Sequence, residues 1–283
     1  MNKYINVAIA GATGYIGIEL IKLLIKHPKV KIKNICAQTS IGKSISKFEP
    51  SLKKKSLPKI TNLNSVNFDN INILFTALPN GEAQKISKKL NPKVKLIDLS
   101  ADFRLDSPKN YKKWYKISHK SQKLIKYAIY SVPELTKLKL NKFRIIACPG
   151  CYPTSIQIPL IPIIKNNLIN TNNIIVDSKS GYSGAGRNLD KKFKFKNIYE
   201  SISAYGLGSH RHMAEIDQQF DKISKKKIFV QFTPHLSPMF RGILSTIYIN
   251  LNDKISAKQI YYYLKKYYKR NYFIKFAKFN SPI

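Results

Sequence analysis

Two cysteines between residues 145 and 154 have a spacing that could support three kinds of chemistry. The segment IIACPGCYPT places Cys148 and Cys151 on either side of a Pro-Gly pair, and the chain contains three cysteines altogether. A C-x-x-C pair can form a redox disulfide, supply half of a zinc site, or hold one nucleophilic thiol beside an unrelated neighbour. An apolar, helix-forming run follows at 154–164, so Cys151 stands near a predicted helix N-terminus, where a thiol has a lowered pKa.

The segment GSHRHMAEIDQQF contains a second group of side chains suited to proton transfer. If a helix begins near His210 and Arg211, then His212 and Glu215 share a face because they are three residues apart. A carboxylate beside an imidazole can fix its tautomer and hold its charge, as a general base requires. The alternative is a surface helix whose histidines do nothing, but two of the chain's five histidines occur in this segment.

The surroundings of the cysteines separate the three hypotheses. A disulfide oxidoreductase would place C-x-x-C near the start of a small βαβ domain, whereas this pair follows a full nucleotide-binding pattern. Zinc remains a rival, because Cys148, Cys151, His210 and His212 would make a Cys₂His₂ set. Structural zinc usually takes its ligands from close in sequence, with histidines three to five residues apart. We therefore favour a nucleophilic Cys151.

A glycine-rich segment near the start, VAIAGATGYIGIEL, suggests a bound dinucleotide. Gly11, Gly14 and Gly17 lie between a predicted strand at 5–10 and a helix with Ile16, Leu20, Leu23 and Leu24 on one face. Glycines let the chain turn sharply and let backbone N–H groups approach a pyrophosphate at the positive end of the helix. The end of the second strand reads CAQTSIGK, with Ser40 and Lys43 where an NAD enzyme would have Asp or Glu. NADP is therefore favoured.

Apolar runs and helical patterns alternate through the first half of the chain. Buried strands are predicted at 5–10, 30–37, 71–78, 94–99 and 143–147. After residue 151 the strands, at 174–176, 227–234 and 242–251, become longer and richer in Thr and Tyr. This order predicts an α/β fold with a Rossmann-type doubly wound parallel sheet at 1–150 and a second α+β domain, for substrate and oligomerisation, at 151–283.

The composition is strongly basic, with 50 Lys+Arg against 15 Asp+Glu and a formal charge of +35. Such a charge attracts polyanions, but the lysines are spread along the whole chain. The most basic aromatic segment is 260–279, and its first half repeats Ile260, Leu264 and Tyr267 at helical spacing, which predicts an amphipathic helix. Nucleic-acid binding stays a minor alternative. Few cysteines, no signal peptide and no apolar run long enough to span a bilayer predict a soluble, cytoplasmic protein without a membrane partner.

Several blocks in order carry a family resemblance. They are GATGYIG, ALPNG (77–81), LIDLSADFRL (96–105), PGCYPT, SGYSGAGR (180–187), HRHMAEI and FTPHLSPMFRGILSTIY. From Val7 to its end the chain resembles the N-acetyl-γ-glutamyl-phosphate reductases, NADPH-dependent arginine-biosynthesis enzymes of the aspartate-semialdehyde-dehydrogenase-like superfamily.

The resemblance implies roles for individual residues. Cys151 would be the nucleophile, and His212 with Glu215 the acid/base pair. The cofactor would be held by Gly11, Thr13, Gly14, Tyr15, Gly17, Ser40, Leu78, Pro79 and Ser183. The anionic substrate would be held by Arg104, Arg187 and His210, since guanidinium pairs with phosphate or carboxylate through two parallel bonds. Both arginines could instead form structural salt bridges.

The chain also departs from the family pattern. Cys148 stands where the family has Asn, and Asn80 stands where His is common. The family continues past Ile283 with a cofactor-contacting segment and a final helix, which implies a fragment or an unusually short enzyme.

The implied activity is NADPH-dependent reduction of N-acetyl-glutamyl 5-phosphate to the 5-semialdehyde, by a homodimer or homotetramer. Cys151 would displace phosphate to form a thioester, which accepts a hydride while His212 protonates the oxygen. Two alternatives are an aspartate-semialdehyde dehydrogenase and a non-catalytic polyanion-binding protein on the same fold.

Overall fold

The computed structural model describes residues 4–187 and 200–281, which form two compact units. The first unit contains residues 4–131, 138–149 and 185–187. The second contains residues 132–137, 150–184 and 200–281. Among the described residues, no helix combines the length and apolar character needed to cross a membrane.

The first unit is built on a seven-stranded sheet in which every strand pair is parallel. Its strands are β1 (Ile5–Ala10), β2 (Val30–Cys36), β3 (Ile60–Thr61), β4 (Ile73–Thr76), β5 (Lys95–Asp98), β6 (Ala128–Tyr130) and β7 (Ile145–Ala147). Its helices are α1 (Tyr15–Leu24), α2 (Glu82–Lys89) and α3 (Pro108–Tyr115). The strand order is β3-β2-β1-β4-β5-β7-β6, so the winding reverses between β1 and β4. The predicted doubly wound fold is confirmed.

Strand β1 shows why its sequence is apolar without alternation. Val7 and Ile9 enter one core together with Ile21 of α1, whereas Ala8 and Ala10 enter a second core together with Ile86 of α2. Both faces of the strand are therefore buried under helices, as a parallel sheet requires.

The predicted apolar face of α1 was wrong in detail. Ile16 and Leu23 are 52% and 66% exposed, and the buried positions are Gly17, Ile18 and Ile21. The cause is Gly17, where a Cβ would lie 2.4 Å from the carbonyl oxygen of Gly11. Because this residue has no side chain, the helix packs on the glycine loop through it and turns the Ile16 face outward.

The second unit is an α+β layer with a four-stranded mixed sheet of order β11-β8-β10-β9. Its strands are β8 (Ile169–Gly181), β9 (Ser203–Ala204), β10 (Val230–Ser237) and β11 (Ile243–Leu251), and its helices are α4 (Cys151–Lys165), α5 (Met213–Asp221) and α6 (Ala257–Tyr267). Helix α4 packs against β8, β11, α5 and α6. The core on that face includes Ile156, Val176, Phe220 and Ile260.

The opposite face of this sheet is more open. Its outward positions on β11 include Leu244 and Tyr248, which are 56% and 57% exposed. On β8 the Asp177 carboxylate is approached by Lys179 Nζ at 2.6 Å and by His235 Nδ1 at 3.0 Å. The face therefore combines apolar side chains with a small charged cluster.

Candidate active site

Helix α4 positions the predicted nucleophile. Cys151 is the first residue of the helix and its side chain is exposed. The capping residue, Gly150, has an extended backbone (φ −68°, ψ 163°) and contributes no side-chain hydrogen bond. The positive end of the helix dipole is therefore directed at the thiol and favours its thiolate form.

The other cysteine of the pair has a different environment. Cys148 follows β7 in the first unit, and its N–H donates to the Asp98 carbonyl at 2.8 Å. Burial, with a smaller effect from the negative charge of Asp98, raises the pKa of the Cys148 thiol to about 11. The thiol is protonated at neutral pH, so it is a poor nucleophile or metal ligand. All three cysteines of the chain are free thiols.

Glu215 joins the nucleophile loop to the predicted base. Its side chain is completely buried in the first turn of α5. One carboxylate oxygen, Oε2, accepts a hydrogen bond from the Gly150 N–H at 2.9 Å, and the other, Oε1, lies 4.0 Å from His212 Nε2. One carboxylate thus fixes the backbone preceding Cys151 and faces the imidazole. The predicted proximity of His212 and Glu215 is present, although α5 begins slightly later than predicted and His212 is its capping residue.

Gly150 has a second role that the sequence did not reveal. A Cβ built on this residue would lie 2.5 Å from Nε2 of His212 and 2.8 Å from its Cε1. The imidazole therefore packs directly on the glycine Cα, and any side chain at 150 would displace it.

His210 lies beside the predicted base, His212, but its pKa is too low for it to hold a proton as an imidazolium at neutral pH. Burial, assisted by the charge of Arg211, lowers the pKa of His210 to about 4. Its Nδ1 accepts a hydrogen bond from the His212 N–H at 3.2 Å, so at neutral pH the ring is neutral and carries its proton on Nε2. The predicted contact of His210 with substrate stays a prediction, and a neutral donor is what the ring can offer.

Two tyrosines near the nucleophile were not singled out from the sequence. The hydroxyl oxygens of Tyr152 and Tyr205 are 3.0 Å apart, and both rings stand edge-on to His210. Burial is the main cause that raises the pKa of each tyrosine, and the charge of Cys151 adds to it. These hydroxyls are therefore within electrostatic range of the thiolate. The only signal in the sequence was the position of Tyr152 directly after Cys151.

The glycine loop of the first unit is shaped for a dinucleotide. A Cβ at Gly11, whose φ is +82°, would lie 2.1 Å from the Ala77 carbonyl oxygen, so this residue must be glycine. At Gly14 a Cβ would have, among the described residues, no neighbour within 4 Å except the Gly11 oxygen at 3.5 Å, which leaves room for a ligand. Gly14 caps α1 without a side-chain hydrogen bond, and the first turn of α1 contains no acidic residue. These features fit a pyrophosphate.

Other predicted cofactor residues lie around the same loop. Thr13 and Tyr15 belong to it or to the start of α1, and Leu78 and Pro79 follow Ala77 at the carboxyl end of β4, where the winding reverses. This is the crevice in which doubly wound sheets bind ligands. Ser40 lies in the turn after β2 with a φ of 65°.

The remaining predicted residues are distributed between the two units. Ser183 belongs to the second unit, where its N–H donates to the Phe240 carbonyl at 2.9 Å. Arg104 is buried in the first unit, and its Nε and Nη2 donate to the carbonyls of Cys148 and Leu99 at 2.8 and 3.1 Å. It thus ties together the ends of β7 and β5. Its predicted role in substrate binding remains untested.

The zinc hypothesis finds no support in the described part of the chain. Cys148, Cys151, His210 and His212 all fall within it, yet no group of three or more His, Cys, Asp or Glu side chains there is arranged to hold a metal ion.

Family models and curated relatives match nearly the whole chain. Residues 6–143 match the model "Semialdehyde dehydrogenase, NAD binding domain", and residues 151–283 match "Semialdehyde dehydrogenase, dimerisation domain". The chain is 42% identical over 277 residues to the N-acetyl-gamma-glutamyl-phosphate reductase of Ehrlichia ruminantium, covering 97% of this chain and 80% of that protein. It is 40% identical over 273 residues to a probable chloroplastic N-acetyl-gamma-glutamyl-phosphate reductase of Arabidopsis thaliana, covering 96% and 68%. For the corresponding rice protein the shares are 96% and 65%, so the chain spans about two thirds of the plant relatives.

Solved structures agree on the fold. The aspartate semialdehyde dehydrogenase of Candida albicans, solved with NADP, matches with a TM-score of 0.67 at 15% identity, over 93% of this chain and 76% of that chain. Aspartate semialdehyde dehydrogenase II of Vibrio cholerae matches with the same TM-score of 0.67 at 19% identity, over 93% and 79%. At such identities the likeness concerns the fold alone.

Proposed function

Because the chain belongs to the N-acetyl-gamma-glutamyl-phosphate reductase family, we propose that it reduces N-acetyl-glutamyl 5-phosphate to the 5-semialdehyde and phosphate. It is an NADP-dependent oxidoreductase of the semialdehyde dehydrogenase group. The observation that carries the proposal is the buried Glu215 carboxylate, which accepts the N–H of Gly150, directly before Cys151, and lies 4.0 Å from His212 Nε2. This arrangement provides a nucleophile and a proton-transfer group, as acyl-phosphate reduction needs.

In the first half of the reaction, Cys151 acts as the nucleophile. Its thiolate attacks the acyl-phosphate carbonyl, a C–S bond forms, and the C–O bond to phosphate breaks. Phosphate leaves with the electron pair of that bond, and a thioester remains on Sγ. The exposed position of Cys151 gives substrate access, and the helix dipole stabilises the thiolate before attack.

In the second half of the reaction, His212 transfers the proton. When bound, NADPH supplies the hydride that reduces the thioester carbon. His212 protonates the oxygen that gains charge, and takes this proton back when the C–S bond breaks and the Cys151 thiolate leaves the aldehyde. Glu215 favours the positively charged imidazole between these two transfers, because its Oε1 lies 4.0 Å from Nε2.

The cofactor would be held mainly by the first unit. The Gly14 end of α1 would receive the pyrophosphate, and the turn at Ser40 would receive the adenosine ribose. No Asp or Glu occurs between residues 37 and 43, so nothing there repels a 2′-phosphate. The missing carboxylate supports NADP(H) over NAD(H), whereas the pyrophosphate site would serve both.

A second copy of the chain is the partner that we propose for the open face of the β11-β8-β10-β9 sheet. The model that matches residues 151–283 is described as a dimerisation domain. Leu244 and Tyr248 supply exposed apolar surface on this face. Three further points stay predictions: the assembly of dimers into tetramers, the role in arginine biosynthesis and the cytoplasmic location.

The substrate is tested by running the reaction in reverse. We expect NADP reduction that requires phosphate and N-acetyl-glutamate 5-semialdehyde, with much slower turnover of aspartate semialdehyde. The opposite preference would favour the aspartate-semialdehyde dehydrogenase alternative. Salt-sensitive polyanion binding without turnover of either aldehyde would favour the non-catalytic alternative.

A further inference from the structure

Arg187, for which the sequence predicts substrate binding, lies beside the glycine loop of the first unit. Its guanidinium carbon is 4.9 Å from the centroid of the Tyr15 ring. Its Nη2 donates a hydrogen bond of 3.4 Å to the carbonyl oxygen of Phe48. All three residues belong to the first unit. The side chain is therefore held by two neutral groups of the nucleotide-binding unit.

These two contacts define where in the dinucleotide site the guanidinium lies. Tyr15 is the first residue of α1, directly after Gly14. Phe48 ends a short 3₁₀ helix, Ile45–Lys47, in the loop that follows β2. In doubly wound folds the pyrophosphate lies at the start of the first helix and the adenosine ribose lies near the end of the second strand. Arg187 thus contacts both the start of α1 and the loop after β2, between which the adenosine ribose would lie.

Within residues 4–187 and 200–281, no carboxylate forms an ion pair with the Arg187 guanidinium. The nearest acidic residue in sequence to Phe48 is Glu49, which is already approached by Lys22 at 3.5 Å and by the Ser51 hydroxyl at 2.7 Å. The Arg187 side chain is exposed, and the Phe48 carbonyl uses one of its five N–H donors.

We propose that Arg187 binds the 2′-phosphate of NADP(H) and so sets the preference over NAD(H); this rests on the proposed function. Contacts with the Tyr15 ring and the Phe48 carbonyl hold the guanidinium in place, so its remaining N–H groups can meet phosphate oxygens in pairs at little entropic cost. The pyrophosphate is the less suitable target, because the uncapped N-terminus of α1 already provides for it. Ser40, with no carboxylate nearby in its turn, offers the phosphate a hydroxyl partner.

The test measures equilibrium binding of cofactor fragments by calorimetry. Adenosine 2′,5′-bisphosphate carries the 2′-phosphate without a pyrophosphate, and ADP carries a pyrophosphate without the 2′-phosphate. For R187M we expect bisphosphate binding to weaken roughly 10- to 100-fold, as for loss of a charged hydrogen bond. ADP binding should change less than about threefold, and R187K should lose less than R187M because the charge remains.

Two outcomes would overturn the proposal. Equal weakening of ADP and bisphosphate would assign Arg187 to the pyrophosphate. Unchanged binding of both would leave it as a structural contact between the loop and α1. Retained ADP binding and an unchanged melting temperature in R187M show that the variant is folded. The proposed function is tested separately. If R187M loses bisphosphate binding as expected but the wild-type protein reduces no acyl phosphate, only the proposed function is overturned.

Discussion

Replacing Gly150 by alanine tests whether the position of His212 controls the reaction. A methyl group at Gly150 would lie 2.5 Å from His212 Nε2, whereas ordinary contact begins near 3.4 Å. The imidazole must therefore move by about 0.9 Å, the difference between these two distances. Alanine itself is tolerated by the backbone, whose φ is −68°, and it keeps the N–H that donates to Glu215. The substitution thus displaces the base and leaves its neighbours in place.

The expected magnitude follows from that displacement. Misplacing a catalytic group by about 1 Å can cost roughly 100-fold in rate, or about 2.7 kcal/mol of activation free energy. The His212 side chain is 15% exposed, so it lies at the edge of the core and not within it. We therefore expect kcat to fall about 100-fold while KM and the melting temperature change little.

The assay is steady-state NADP reduction with N-acetyl-glutamate 5-semialdehyde and phosphate, and the control is a double-mutant cycle. In an H212A background the ring is gone, so the additional G150A substitution should cost almost nothing. An equal loss in both backgrounds would show that G150A acts through the nucleophile loop instead. A G150A rate within about threefold of wild type would refute the argument that the imidazole must stay where it is.

Four further predictions concern the cysteines, the cofactor and the subunit contact. C151S should abolish reduction, because an alkoxyl is a far weaker nucleophile than a thiolate, whereas C148N should nearly keep it; equal losses in rate assays would contradict this. In C151S, alkylation of Cys148 should be slow at pH 8 and accelerate toward pH 11, since its pKa is raised to about 11. S40D should shift the ratio of dissociation constants toward NAD by placing a carboxylate where the 2′-phosphate would lie, and an unchanged ratio in titrations would place that phosphate elsewhere. L244D should convert dimers to monomers in light scattering by charging an apolar contact, and an unchanged mass would move the interface elsewhere.

The strands of the first unit were predictable because their chemistry is local. Buried parallel strands have continuous apolar runs, and those at 5–10 and 30–37 correspond closely to β1 and β2. The face of α1 was not predictable from periodicity, because its packing depends on the approach of Gly17 to the Gly11 carbonyl. That contact forms only when the loop has folded.

The candidate site shows the same division. Spacing alone brought His212 and Glu215 onto one turn, since residues three apart on a helix are neighbours. The contact between Glu215 and the Gly150 N–H joins positions 65 residues apart, and no local pattern encodes it. The substrate-binding assignment of Arg187 rested on the chemistry of guanidinium, which fits any phosphate. The proposal that it binds the cofactor rests instead on its contacts with Tyr15 and Phe48, which no local pattern encodes.

The fold limits how many acidic residues the chain can lose to lysine. Of the 15 acidic residues, Asp98, Asp102 and Glu215 are completely buried, and the carboxylate of each accepts a hydrogen bond from at least one backbone N–H. A lysine at any of these positions would leave a buried cation facing an N–H donor, which is far more costly than a charge change at the surface. Surface carboxylates can therefore be exchanged for lysine at little cost, whereas these three cannot. The net charge of +35 and an intact candidate site are compatible for this reason, since the carboxylate the site needs is among those the fold must keep.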